Sequence, residues 1–71
     1  MAKMFKIVIA GRSDKEGLVI QVSSNSYTLK QVEDEADVMS QEYAPQGFKI
    51  YVIPEKLIID FVKALKDHNQ H

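Results

Sequence analysis

From Thr28 to Pro54 the chain reads TLKQVEDEADVMSQEYAPQGFKIYVIP, and this segment restricts the fold more tightly than any other. Leu29, Val32, Ala36, Met39 and Tyr43 recur at steps of three and four, the spacing of one apolar stripe on a helix. Thr28 stands where its side chain can cap that helix, and Gln31, three residues on, can reach back to complete a capping box. Pro45 lacks the N–H a helix needs and biases Ala44 away from helical geometry, so the helix must stop there. Gly47 can take the positive φ that re-aims the chain. Phe48, Ile50 and Val52 then alternate with Lys49, Tyr51 and Ile53, which is the period of a strand. A helix with one apolar stripe followed directly by such a strand must lie on a sheet, so the expected class is α+β.

The flanking segments supply the rest of that sheet. Phe5, Ile7 and Ile9 alternate with Lys6, Val8 and Ala10, giving a first strand with a strongly apolar face. The segment GRSDKEG has a glycine at each end and four charges between them, which reads as a loop. Leu18, Ile20 and Val22 alternate with Val19 and Gln21, so a second strand closes a hairpin. SSNS before Tyr27 is a polar connector. Pro54 suits the first turn of a helix, and Leu57, Ile58, Phe61, Val62 and Leu65 follow as a broad apolar stripe that ends near Asp67. The tail His68-Asn69-Gln70-His71 is expected to fray. The order is ββαβα: a three-stranded sheet with one helix packed on it and a second, C-terminal amphipathic helix. Strand order stays open.

The first helix is expected to bury Leu29 and Met39 against Ile7, Ile20 and Ile50, with Phe5, Leu18 and Phe48 on the same face. Val8, Val19, Tyr51 and Ile53 then point the other way, among Lys6, Gln21 and Lys49. Either the Leu57-Phe61-Leu65 stripe covers that second face, or part of it or a strand edge receives a partner.

Seventy-one residues cannot fill two cores, so residues 1–71 are read as a single domain, one that buries only about 60% of its unfolded surface. Apolar residues at 45% make a core feasible, and the absence of cysteine removes disulfides and thiolate metal sites. Lys6 interrupts the apolar run near the start, which therefore reads as a strand and not as a signal. No apolar run approaches the roughly 20 residues of a membrane span. A soluble, cytoplasmic protein with no membrane contact is expected. A formal net charge of -1, with Arg12 the sole arginine, argues against a nucleic-acid surface, which needs clustered Lys and Arg. Ten acidic residues against nine basic ones are too few for a nucleic-acid mimic.

Reactive chemistry is sparse. His68 and His71 are three apart, but a zinc site wants three or four ligands and only Asp67 is near. Glu33, Asp34, Glu35 and Asp37 could be paired carboxylates, yet consecutive helical positions point apart, and acids near a helix N-terminus favour its dipole. No nucleophile has a histidine partner outside the tail, and neither GxGxxG nor GxxxxGK occurs. The expectation is a non-enzyme with no cofactor and no metal.

The pairing Thr28-Leu29, the turn Tyr43-Ala44-Pro45-Gln46-Gly47-Phe48 and the strand KIYVIP together resemble the small proteins with which podovirus-type coliphages inhibit host RNA polymerase. The match covers about half the chain, Thr28 to Pro54. It implies a phage protein of host takeover, acting in the host cytoplasm by binding and inhibiting a bacterial enzyme, with RNA polymerase the first candidate. Where that family carries the arginines that grip polymerase, this chain has Tyr51-Val52-Ile53-Pro54, and its second helix exceeds anything the family places after the third strand. A different host enzyme or a defence factor is the nearest alternative target. A structural or assembly module that dimerises through its C-terminal helix is the reading from another class, and a monomer or weak homodimer fits either. Arg12 and Lys15 in the hairpin loop, with Lys49 and Tyr51, form the expected partner-binding set. The acidic helix face around Asp34 and Glu35 is the rival surface.

Overall fold

A hairpin opens the chain. The computed structural model describes residues 3–68, in which β1 (Phe5–Ser13) pairs antiparallel with β2 (Gly17–Val22) from Val8↔Val22 to Ser13↔Gly17. The expected seven-residue loop is a turn of only three residues, Asp14 to Glu16. Gly17 makes it close: its φ of 75 lies in the left-handed region that favours glycine. The Ser13 hydroxyl oxygen accepts from the backbone N–H groups of Lys15 (3.2 Å) and Glu16 (3.1 Å), so these two donors of the turn are satisfied locally.

The helix α1 (Leu29–Tyr43) starts as its sequence dictates. The Gln31 N–H donates to Thr28 Oγ1 at 3.3 Å and the Thr28 N–H donates to Gln31 Oε1 at 3.2 Å, a complete capping box. At the other end Ala44 keeps helical geometry (φ -58, ψ -40) and donates its N–H to the Ser40 carbonyl, against the bias expected from Pro45; the chain tightens there into a 3-10 turn, Ala44–Gln46, and Gly47 follows with φ 90. Phe48 then leads into β3 (Lys49–Pro54), which pairs antiparallel with β1 from Phe5↔Pro54 to Ala10↔Lys49. A second 3-10 turn, Glu55–Leu57, precedes α2 (Ile58–His68). Sheet order is β2-β1-β3, so the excursion through α1 carries the chain across β1 from one edge to the other. The fold is α+β in the order ββαβα.

Directly opposed antiparallel residues share a face, so register decides what each helix covers. Ile7, Ile9, Ile50 and Val52 share one face with Val19 and Gln21, whereas Val8, Ala10, Tyr51 and Ile53 share the other with Leu18, Ile20 and Val22. On the first face Tyr43 of α1 meets Phe48 edge-on, with ring centroids 6.2 Å apart. On the second, Tyr51 meets Phe61 of α2 at 5.2 Å. One helix therefore lies on each face, and the most buried side chains are Ile7 and Val32 on the α1 side and Val8 on the α2 side.

Three expectations are corrected by this arrangement. Leu18, Ile20 and Val22 lie on the α2 face and Val19 and Gln21 on the α1 face, the reverse of their expected placement. A three-residue turn pins Gly17 opposite Ser13, and a one-residue change in that offset would flip every β2 side chain. Leu29 is 54% exposed, and Val32 takes its place as the buried residue. At 100° per residue Leu29 lies about 50° from the centre line of Val32, Ala36, Met39 and Tyr43, at the first helical position. Leu57 is 47% exposed because it belongs to the 3-10 turn and not to the α-helical phase, so the covering stripe is Ile58, Phe61, Val62 and Leu65. The first turn of α1 also holds no acid; Glu33, Asp34 and Glu35 begin a solvent-facing surface beyond the reach of the dipole argument.

Gly11 has a structural reason of its own. A Cβ built there would fall 2.2 Å from Phe48 Cδ1, so the missing side chain is the space that the Phe48 ring occupies.

Two outcomes follow for stability. Val32→Ala is expected to cost about 2 kcal/mol or more while Leu29→Ala stays within about 0.5 kcal/mol, as read by chemical denaturation; equal costs would contradict the assigned helix face. Gly47→Ala meets no neighbour within 4 Å, so its expected loss of about 1 kcal/mol is purely torsional and an unchanged melting temperature would contradict it.

Candidate partner-binding site

The end of the sheet near the hairpin turn gathers most of the expected contact residues. Arg12 is on β1 and not in a loop, opposite Leu18, while Lys49 opens β3 opposite Ala10. Both belong to the α2 face, one pleat apart, so their side chains leave the sheet in the same direction. Tyr51 follows on that face of β3, and its ring is held by Phe61. Leu65 and His68 descend from the last turns of α2. These residues, with Leu18, line an open depression of ≈ 490 Å³.

The chemistry of this hollow is mixed by construction. Its floor is the apolar surface of Ala10 and Leu18 with the Tyr51 ring, and its rim carries the guanidinium of Arg12, the ammonium of Lys49 and the imidazole of His68. Arg12, Lys49 and His68 are exposed and Tyr51 is half-buried. Such a surface suits a partner offering carboxylates around an apolar or aromatic centre. Lys15 lies apart from it: it sits exposed in the turn and does not line the hollow. Tyr51 also differs from its expected role, because its packing on Phe61 makes it part of the seam between sheet and helix as well as part of the surface.

The acidic surface is a separate place. Asp34 and Glu35 border a polar hollow of ≈ 450 Å³ with Asn25, Ser26, Tyr27 and Gln31. The connector beside it is firmly organised. Lys6 Nζ donates to the carbonyls of Ser23 (3.2 Å) and Ser24 (3.3 Å), the Ile7 N–H donates to Ser23 Oγ at 3.0 Å, and the Ser26 hydroxyl bonds the Glu55 carboxylate. Tyr27 exchanges two backbone hydrogen bonds with Phe5, both 2.8 Å.

Sequence reasoning missed the contributions of Leu65, His68 and Leu18. Leu18 was hidden by the reversed phase of β2, and the last turn of α2 could be placed over Arg12 only once the strand order was known. It also missed an apolar groove of ≈ 400 Å³ where Ile58, Ile59 and Val62 of α2 approach Val22, with Lys63 and Lys66 at its border. Ile59, 78% exposed, is the most exposed large apolar side chain named among the described residues. His71, the expected companion of His68 in a metal pair, lies outside the described residues. Among the described residues no three metal-ligating side chains come together, and no helix is long and apolar enough to cross a membrane. Compared with protein-family models, with curated proteins and with solved structures, the chain matches none.

Proposed function

We propose that this chain is a small phage protein of host takeover that works by binding, as a stoichiometric inhibitor of a bacterial enzyme, with RNA polymerase as the first target. The observation that carries the reading is the convergence of Arg12, Lys49 and Tyr51 on one open hollow. They come from two different strands, β1 and β3, and the register brings them to one face. A cationic rim around an aromatic floor matches an acidic, partly apolar patch on a protein surface, and Arg and Tyr are the residue types that carry most binding energy at such contacts. The likeness of Thr28 to Pro54 to the phage inhibitors of polymerase supplies the target. Inhibition by occupancy needs no catalytic group.

The contact is made by the side chains of β1 and β3 near the hairpin turn. It therefore differs from a grip built on arginines along the last strand, where this chain has Val52 and Ile53. Exclusion of another factor from the target's surface, or obstruction of its moving parts, is the mode of action available to a protein of this size.

The test is capture from a bacterial lysate with the tagged chain as bait, followed by transcription by purified polymerase at rising protein ratios. Polymerase subunits in the captured fraction and inhibition that saturates near one chain per polymerase are expected. Arg12→Ala with Lys49→Ala is expected to weaken capture at least tenfold, about 1.4 kcal/mol, with an unchanged melting temperature; Tyr51 is left in place because it holds α2. Undiminished capture by that double variant, with loss of capture on reversing Asp34 and Glu35, would move the contact to the acidic surface of α1.

A further inference from the structure

We infer that the outer edge of β2 is a self-association edge, on which a second copy of this chain adds its own β2 in antiparallel register to make one continuous six-stranded sheet. The two edges of the sheet are built differently. The β3 edge begins at Lys49 and ends at Pro54, and a charge and a proline are the means by which edge strands resist pairing. The β2 edge, GLVIQV, has neither, and its strand contains no charged residue at all.

The ladder identifies which backbone groups are on offer. Ser23 donates its N–H to the Ile7 carbonyl at 2.9 Å, so the odd-numbered residues of β2 turn their backbone polar groups toward β1. The even-numbered ones, Leu18, Ile20 and Val22, turn theirs outward. On β3 the same alternation leaves Ile50, Val52 and Pro54 outward, and Pro54 has no N–H to give. The open β2 edge thus has three outward donors against two.

A two-fold axis through Ile20 satisfies all of them. Ile20 then opposes Ile20 of the second copy and Leu18 opposes its Val22, so every outward N–H and C=O of β2 finds a mate. The side chains agree, because antiparallel partners share a face: the α2 face gains the apolar pairs Leu18 with Val22 and Ile20 with Ile20 across the seam. Val22, 41% exposed in one chain, gains a neighbour on its open side. Charge agrees as well. The register brings the turn that holds Asp14 and Glu16 of the second copy toward the connector after Val22, where Lys6 Nζ lies over the Ser23 and Ser24 carbonyls. Each end of the seam therefore sets the carboxylates of one copy on the side of the other copy's Lys6 ammonium.

The assembly is independent of the proposed target, since its test reads the mass of the pure protein. Sedimentation of the full chain from about 5 µM to about 1 mM is expected to show a mass rising toward twice the 8.1 kDa of one chain. Val22→Pro removes an outward N–H without touching the ladder to β1, and is expected to stay folded by circular dichroism and remain at the single-chain mass. Ile20→Cys introduces the single thiol of a chain that otherwise has no cysteine. Opposed residues about 5.5 Å apart at Cα suit a disulfide, so this variant is expected to cross-link on mild oxidation at least tenfold faster than Gln21→Cys. A single-chain mass across the whole range would overturn the inference and leave the edge to an extended segment of another protein. A dimer that folded Val22→Pro leaves intact, or in which Ile20→Cys cross-links no faster than Gln21→Cys, would overturn it too.

Discussion

The three-residue turn from Asp14 to Glu16 sets the offset between β1 and β2, and much of the molecule depends on that offset. It brings Leu18, Ile20 and Val22 onto the face that α2 covers. It places Arg12 on a paired strand beside Lys49, where a longer loop would have let it move freely. It also decides which backbone groups of β2 turn outward. Gly17 in the left-handed region and the Ser13 hydroxyl on two turn N–H groups are the local means that hold so short a connection closed. Side chains alternate with a period of two, so a change of one residue in this offset would exchange the apolar and polar faces of an entire strand. Few positions in a chain of this size carry so much.

The elements themselves were legible because each is punctuated by residues with one physical use. Thr28 and Gln31 start α1, Pro45 and Gly47 end it, and Pro54 divides β3 from the turn that leads into α2. What eluded the sequence was relational. GLVIQV is apolar at Leu18, Val19, Ile20 and Val22, so its periodicity could not say which residues face which helix; only turn length could, and GRSDKEG is compatible with several. Leu29 fits the stripe by spacing, but its position at the helix start and at the stripe's rim leaves it in solvent. Leu57 was misplaced because a 3-10 turn and an α-helix advance by different angles. Part of the candidate site was readable as residue types, Arg12, Lys49 and Tyr51, whereas Leu65 and His68 joined it only through the strand order β2-β1-β3.

The two helices leave different surfaces open. α1 lies over β3 and β1 and turns its acids outward, and α2 seals the other face through Phe61 on Tyr51 while leaving Val22 partly bare. The cationic hollow and the apolar β2 edge are adjacent through Leu18, which lines the first and belongs to the second. If two copies join along β2, both hollows open on the same side of the extended sheet, since antiparallel pairing keeps each α2 on that side. A pair of equivalent contact surfaces facing one way would let a dimer hold two target molecules, one on each chain, which keeps the ratio at one chain per target.

The register of β1 with β2 is open to direct measurement by nuclear Overhauser spectroscopy of the labelled protein. In antiparallel pairs that do not exchange hydrogen bonds the Cα atoms approach to about 4.5 Å, and here those pairs are Arg12 with Leu18, Ala10 with Ile20, and Val8 with Val22. Strong cross-peaks between the Hα protons of these three pairs are expected. Cross-peaks that instead join Ala10 to Val19 or Ile9 to Ile20 would shift β2 by one residue, turn Leu18, Ile20 and Val22 toward α1, and contradict the placement of both the hollow and the open edge.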